Sequence, residues 1–148
     1  VNGLEGGSAP AVDAELAKHT FAALHGAIQS GSVRSCHDLS EGGLAVAAAE
    51  MAFAGGVGME LDLGNVSVAE ASLSSGARLF SESNTRLLCE VAPDQAEAFE
   101  KQLKDVPVAC IGKTVADTQL TITESDGDKV LVQSDLDSLK TAWQQPLS

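Results

Sequence analysis

His37-Asp38-Leu39-Ser40-Glu41-Gly42-Gly43-Leu44-Ala45-Val46-Ala47 is the stretch on which the fold turns. Residues 33–38, leading into it, read as a short strand. Residues 42–54, leading out of it, read as a helix that is apolar on nearly every face, with Glu50 its only charged residue, so this helix is expected to be central and well covered. A strand handing over to a buried helix through paired glycines leaves backbone N–H groups facing outward without Cβ obstruction. A helix start also carries unpaired donors and the positive end of the dipole, so a phosphate or carboxylate could be held there. A second reading is open. Asp38-Leu39-Ser40-Glu41 has the spacing of a capping box, in which Asp38 accepts an early N–H and Glu41 reaches back. One residue set could do both.

Outward from that stretch, residues 13–30 have the three-four periodicity of an amphipathic helix, with Leu16, Ala17, Thr20, Phe21, Leu24, Ala27 and Ile28 on one stripe and Gly31 as its stop. Residues 57–63 read as a strand, 66–79 as a Ser/Ala-rich segment of short helical turns, and 86–91 as a strand. Residues 93–103 form a helix with Pro93 in its first turn, and 108–112 another strand. Segments 119–124 and 129–134 alternate around Asp126-Gly127, a hairpin signal in which Asp126 and Asp128 are turn residues. A last helix spans 135–145, with Leu136, Leu139 and Trp143 on one side. The order α-β-α-β-α-β-α-β-β-β-α predicts an α/β (α+β) fold, a mixed β-sheet flanked by helices. The Gly-rich residues 1–12 are expected to be a linker remnant, leaving 13–148 as one domain.

Composition agrees with a single domain. The 148 residues are 44% hydrophobic and 20% charged, a globular profile, and with 3% aromatics the core must rest on Val, Leu, Ile and Ala. A net charge of −12 argues against nucleic acid or an acidic membrane surface as partner, because no basic patch exists to neutralise phosphates. No secretory segment and no apolar run of about 18 residues appears, so the expected location is the cytoplasm. Cys36, Cys89 and Cys110 lack CxxC spacing and lie in or beside apolar runs, which predicts buried, reduced thiols with a structural role.

A second polar cluster, Phe80-Ser81-Glu82-Ser83-Asn84-Thr85-Arg86, precedes the 86–91 strand. Its hydroxyls, carboxylate and amide could bind sugar hydroxyls or position a cation through Glu82; alternatively it is a loop held by local side-chain-to-backbone bonds. Other candidates are weaker. His19 and His25 are six apart on the first helix, the wrong spacing for one metal face. His37 stands without a nearby nucleophile elbow. No Walker loop, GxGxxG or HExxH is present.

Together, 37–47 and 80–86, with the closing Leu136-Asp137-Ser138-Leu139-Lys140-Thr141-Ala142-Trp143, resemble the C-terminal domain of the synthetase subunit of phosphoribosylformylglycinamidine synthase, in the aminoimidazole-ribonucleotide-synthetase-like superfamily. The likeness runs from Asp13 to Leu147. It implies an α/β domain that pairs with a barrel-forming N-terminal domain. The enzyme it implies is an ATP-dependent C–N ligase of purine biosynthesis, amidating formylglycinamide ribonucleotide with ATP, Mg2+ and glutamine-derived ammonia. The formamide oxygen is activated as a phosphoryl imidate, so the protein's task is largely positioning and charge stabilisation. The implied partners are the remaining domains of the parent subunit, a glutaminase subunit, a small accessory subunit and formylglycinamide ribonucleotide. The resemblance implies Asp38, Ser40, Gly42, Gly43, Ser81, Glu82, Ser83 and Asn84 as a nucleotide or phosphate wall, with no catalytic or metal-ligating residue in this domain. The family's subunit contains two similar halves and this chain resembles the second; where the first half carries Glu-Ser-Gln, this chain has Glu82-Ser83-Asn84, with a shorter amide. The alternatives are a structural or interaction module without ligand, or another ATP-dependent enzyme of the superfamily. Separated from its partner domain, the fragment is expected to be inactive and to expose apolar surface.

Overall fold

A computed structural model describes residues 10–68, 72–125, 127 and 129–145. The proposed linker therefore lies largely outside the described residues, as do the turn residues Asp126 and Asp128 and the terminal Leu147.

The elements follow the predicted order. Helix α1 spans Ala14–Gln29, β1 Val33–Asp38, α2 Gly43–Gly55, β2 Gly58–Asp62, α3 Ser75–Phe80 and β3 Leu87–Val91; α4 is Ala96–Gln102, β4 Gly112–Val115, β5 Gln119–Thr123, β6 Val130–Asp135 and α5 Leu136–Gln144. Helix α1 begins where Asp13 accepts the amides of Glu15 and Leu16 at 3.1 and 3.0 Å. It ends where Gly31, at φ +77°, lets the amides of Gly31 and Ser32 return to the Ile28 and Ala27 carbonyls, a Schellman closure. Its predicted stripe is only half right. Ala17, Thr20, Leu24 and Ala27 are buried, whereas Phe21 and Ile28 are about half exposed. The inner face packs on α4 and the β1–β3 ribbon, which leave the stripe's outer edge uncovered.

The mixed sheet is four-stranded, ordered β4-β2-β5-β6, with β2 and β5 parallel and both outer pairs antiparallel. Strands β1 and β3 form a separate two-stranded antiparallel ribbon. The apolar run predicted as a strand at 108–112 enters no ladder until Gly112. There the edge strand approaches β2 so closely that a Cβ on Gly112 would run into the Glu60 carbonyl. Pro107, which has no N–H to donate, precedes the displaced run.

Two cores result. The larger gathers Leu39, Leu44, Ala47, Ala48, Ala52, Leu61, Leu63, Leu120, Ile122 and Leu136 around α2 and the sheet. The smaller gathers Leu24, Ala27, Phe99, Leu103 and Val106 between α1 and α4. The β1–β3 ribbon divides them: Leu88 packs on the larger core, while Leu87, Cys89 and Val91 pack on the smaller. Helix α2 is central, as its all-apolar sequence predicts.

Candidate functional site

Strand β1 delivers Asp38 to the ribbon's end, opposite Leu87. Leu39 then turns inward, 5% exposed, and its amide donates to the Arg86 carbonyl at 3.0 Å. Gly42 and Gly43 follow with φ +77° and +63°, so the chain enters α2 through two consecutive left-handed residues. This overturns the capping-box reading. The residue in N-cap position is Gly42, no side chain caps the helix, and Asp38 lies four residues too early. Paired glycines accomplish with backbone rotation what a capping carboxylate would accomplish by hydrogen bonding. Gly43 is required for a second reason: a Cβ there would stand 2.8 Å from the Ser81 carbonyl oxygen and 2.9 Å from that of Leu79.

Those carbonyls lie in and just before the second polar segment, so the fold joins two stretches some forty residues apart. The Gly42 amide donates to Glu82 Oε1 at 2.9 Å. A carboxylate at the positive end of a helix is favourable, and here the anion comes from the chain itself. Ser81 ends α3, and its hydroxyl and carbonyl accept from Arg86 Nη1 at 3.1 and 3.4 Å. Half-burial pushes the Arg86 guanidinium below its ordinary value. Asn84 turns away, donating from Nδ2 to the Pro10 carbonyl at 3.2 Å. Thr85, at φ +64°, is the one non-glycine in the left-handed region among the described residues, a strained conformation for a β-branched side chain.

Of the eight predicted residues, Gly42, Gly43, Ser81 and Glu82 converge. Ser40 and Ser83 are exposed on the adjoining loops. Asp38 projects outward, with its side chain 66% exposed and Oδ1 3.6 Å from His37 Nδ1. Asn84 is engaged by the Pro10 carbonyl.

A cluster that sequence reasoning did not assemble lies about two turns further along α2, at Glu50. His37 Nε2 meets Glu50 Oε2 at 2.6 Å, Glu50 Oε1 accepts from Trp143 Nε1 at 2.7 Å, and Trp143 packs on Phe53 with ring centroids 5.7 Å apart. Burial disfavours the charged imidazole, but the Asp38 carbonyl and the Glu50 carboxylate outweigh it and hold His37 above its ordinary value. The available signal was Glu50 itself, a lone acid in an otherwise apolar helix, which requires a partner when covered. His19 and His25 are exposed on α1. Among the described residues, no three His, Cys, Asp or Glu side chains converge as a metal site, and no helix is long and apolar enough to cross a membrane.

The cysteine expectation fails. Cys36 and Cys110 are exposed and Cys89 is half-buried. Cys36 and Cys89 lie on strands, where successive side chains face opposite ways, and Cys110 lies before β4 in a stretch that enters no ladder, so an apolar run does not bury every member of it. A concavity of about 390 Å³ lies away from the glycine turn, lined by residues including Leu63, Ser75, Arg78 and Glu124, and it contains none of the eight predicted residues.

Residues 1–125 match the family model described as AIR synthase related protein, C-terminal domain. The chain is 39% identical over 147 residues to the phosphoribosylformylglycinamidine synthase subunit PurL of Deinococcus radiodurans, an alignment covering 99% of this chain and 19% of that protein. It is 36% identical over 159 residues to the corresponding subunit of Prochlorococcus marinus, with the same two coverages. It thus spans about a fifth of the length of these relatives. Among solved structures, Thermotoga maritima PurL complexed with FGAR is similar with a TM-score of 0.80, at 19% identity over 94% of this chain and 23% of that one. The hydrogenase maturation protein HypE in complex with ATP has a TM-score of 0.64, at 19% identity over 80% of this chain and 41% of that one. At these identities the structural likeness is one of fold.

Proposed function

This chain belongs to the AIR synthase related C-terminal domain family, and from that premise we propose that it serves as the C-terminal domain, residues 13–148, of a phosphoribosylformylglycinamidine synthase synthetase subunit. The reaction proposed for the whole enzyme converts formylglycinamide ribonucleotide to formylglycinamidine ribonucleotide in the cytoplasm, with ATP, Mg2+ and glutamine-derived ammonia. The remaining domains of the subunit, a glutaminase subunit and a small accessory subunit complete it. Supporting this are the relatives at 39% and 36% identity, and solved PurL proteins whose complexes include FGAR, ATP and a PurLQS assembly.

Within that enzyme, this domain contributes the sugar-facing wall of a nucleotide cleft. The observation that carries the reading is the Gly42 amide bonded to Glu82 across forty residues. The ligand group that fits is a sugar hydroxyl rather than a phosphate. Glu82 already supplies negative charge at the helix start and repels a second anion, while its other oxygen suits an O–H donor of a ribose. A triphosphate does not fit the helix start as it stands, and no Mg2+ ligand set converges among the described residues. Phosphate and metal handling are therefore assigned to the other domains, and this wall orients the substrate's sugar.

Calorimetry tests the division of labour, using this chain and the complete subunit with ATP, ADP and formylglycinamide ribonucleotide. Glu82→Gln in the complete subunit should weaken ribonucleotide binding by roughly tenfold, the effect of one charge-assisted hydrogen bond, and leave ATP affinity unchanged. ATP binding by this chain alone, as tight as by the complete subunit, contradicts the assignment.

A structural module is the second reading. It is favoured by the internal engagement of Glu82, Asn84 and Arg86. It predicts unchanged turnover in Ser81→Ala and Glu82→Gln, whatever their melting temperatures.

A further inference from the structure

We propose that Cys36 and Cys89 form a reversible dithiol–disulfide pair, a modification site for hydroperoxides on the β1–β3 ribbon. The two residues are direct partners in the antiparallel register, and their sulfurs stand 3.5 Å apart. Opposed residues of an antiparallel pair have Cα atoms about 4.5–5.5 Å apart, inside the roughly 4.4–6.8 Å that a disulfide spans. The sulfurs must close to about 2 Å. Side-chain rotation with a slight pinching of the strands can deliver this, because among the described residues the ribbon pairs with no third strand to hold its spacing. A bridge formed under such strain is readily reduced.

The two thiols are unequal in a way that suits sequential chemistry. Cys36 is exposed, and the hydrogen bond donated by the Cys89 thiol brings it down to about 7, against opposition from burial and with help from His37. Cys89 packs on the smaller core, and the same bond together with burial pushes it up. Cys36 is therefore the nucleophile and Cys89 the protonated resolving thiol. The Cys36 thiolate attacks one oxygen of hydrogen peroxide; the O–O bond breaks, and the departing hydroxide takes up a proton as water, leaving Cys36 as a sulfenic acid. The Cys89 sulfur then attacks the Cys36 sulfur. The S–O bond breaks as the S–S bond forms, and hydroxide leaves with the Cys89 proton as a second water. Two thiols lose two electrons and one peroxide becomes two waters. Cys110 is exposed but has no sulfur opposite it among the described residues, so the chain carries its own control.

The inference is independent of the nucleotide reading, and so is its test. The fully reduced chain is treated with hydrogen peroxide near neutral pH and followed by intact mass and peptide mapping. The expected product has lost two hydrogens, contains a peptide pair linked through Cys36 and Cys89, keeps Cys110 open to alkylation, and reverts with dithiothreitol. Cys89→Ser should stop at a Cys36 sulfenic acid that dimedone traps, and Cys36→Ser should slow the first thiol loss and yield no intramolecular link. Consumption of Cys110 first, or oxidation of Cys36 in the wild-type chain without the link to Cys89, overturns the proposal. The wild-type mapping depends on no variant folding.

Discussion

Gly43 shows how much one missing atom can decide. Its left-handed φ alone disfavours any side chain by about 1–2 kcal/mol, and the Ser81 and Leu79 carbonyls lie where a methyl group would sit. Overpacking adds about 1–3 kcal/mol, so Gly43→Ala is expected to destabilise by about 2–5 kcal/mol in urea denaturation. Gly31 provides the comparison: its φ is also positive, but nothing lies within 4 Å of its would-be Cβ. Gly31→Ala should therefore cost only about 1–2 kcal/mol. Equal losses at the two positions would mean that the carbonyls yield and that the contact between segments is loose. The glycine pair was legible in the sequence as a backbone device. That Glu82 would meet it was not, because no local pattern relates positions forty residues apart. The capping-box motif misled for a related reason: a spacing shows which groups could bond, and the backbone rotation at Gly42 carries Asp38 out of reach.

At the scale of elements, α2 is held by apolar contact on most sides and by one polar connection, Glu50, which links β1 through His37 and α5 through Trp143. That connection depends on pH. The folded state raises the His37 value, so its contribution is fully present below the ordinary histidine value of about 6.5 and is lost as pH rises through the raised one. The stability difference between the wild-type chain and Glu50→Gln should accordingly be larger at pH 5.5 than at pH 8.5, measured from urea midpoints with Trp143 fluorescence as probe. A difference that does not vary with pH would show that the imidazole is uncharged in the pair. The remainder at high pH reports the Trp143 bond, which does not titrate. Strand β1 was predicted to the residue, Val33–Asp38, because turn residues and a glycine bound it on both sides. Strand β4 slipped by several residues because apolar character extends over 106–111, whereas a strand exists only where a neighbour accepts its hydrogen bonds.

On the scale of the whole molecule, two cores of unequal size share one ribbon. Ile122, fully buried in the parallel heart of the sheet, should cost about 2–5 kcal/mol on truncation to Ala. Phe99→Ala empties the smaller core between α1 and α4. Hydrogen exchange should then rise in those two helices well before it rises in β2 and β5; simultaneous exchange everywhere would show that the cores unfold as one. The sequence by itself determined the number, kind and order of the elements, the centrality of α2 and the hairpin near the end. Each of these rests on interactions within a few residues, namely periodicity, glycine stops and turn chemistry. Only the tertiary structure decided that the strands divide into a sheet and a separate ribbon, that Glu82 occupies the helix start, and that Cys36 faces Cys89. Those outcomes depend on which distant strands exchange backbone hydrogen bonds, and the pairing is selected by the burial of the whole chain rather than by any short segment of it.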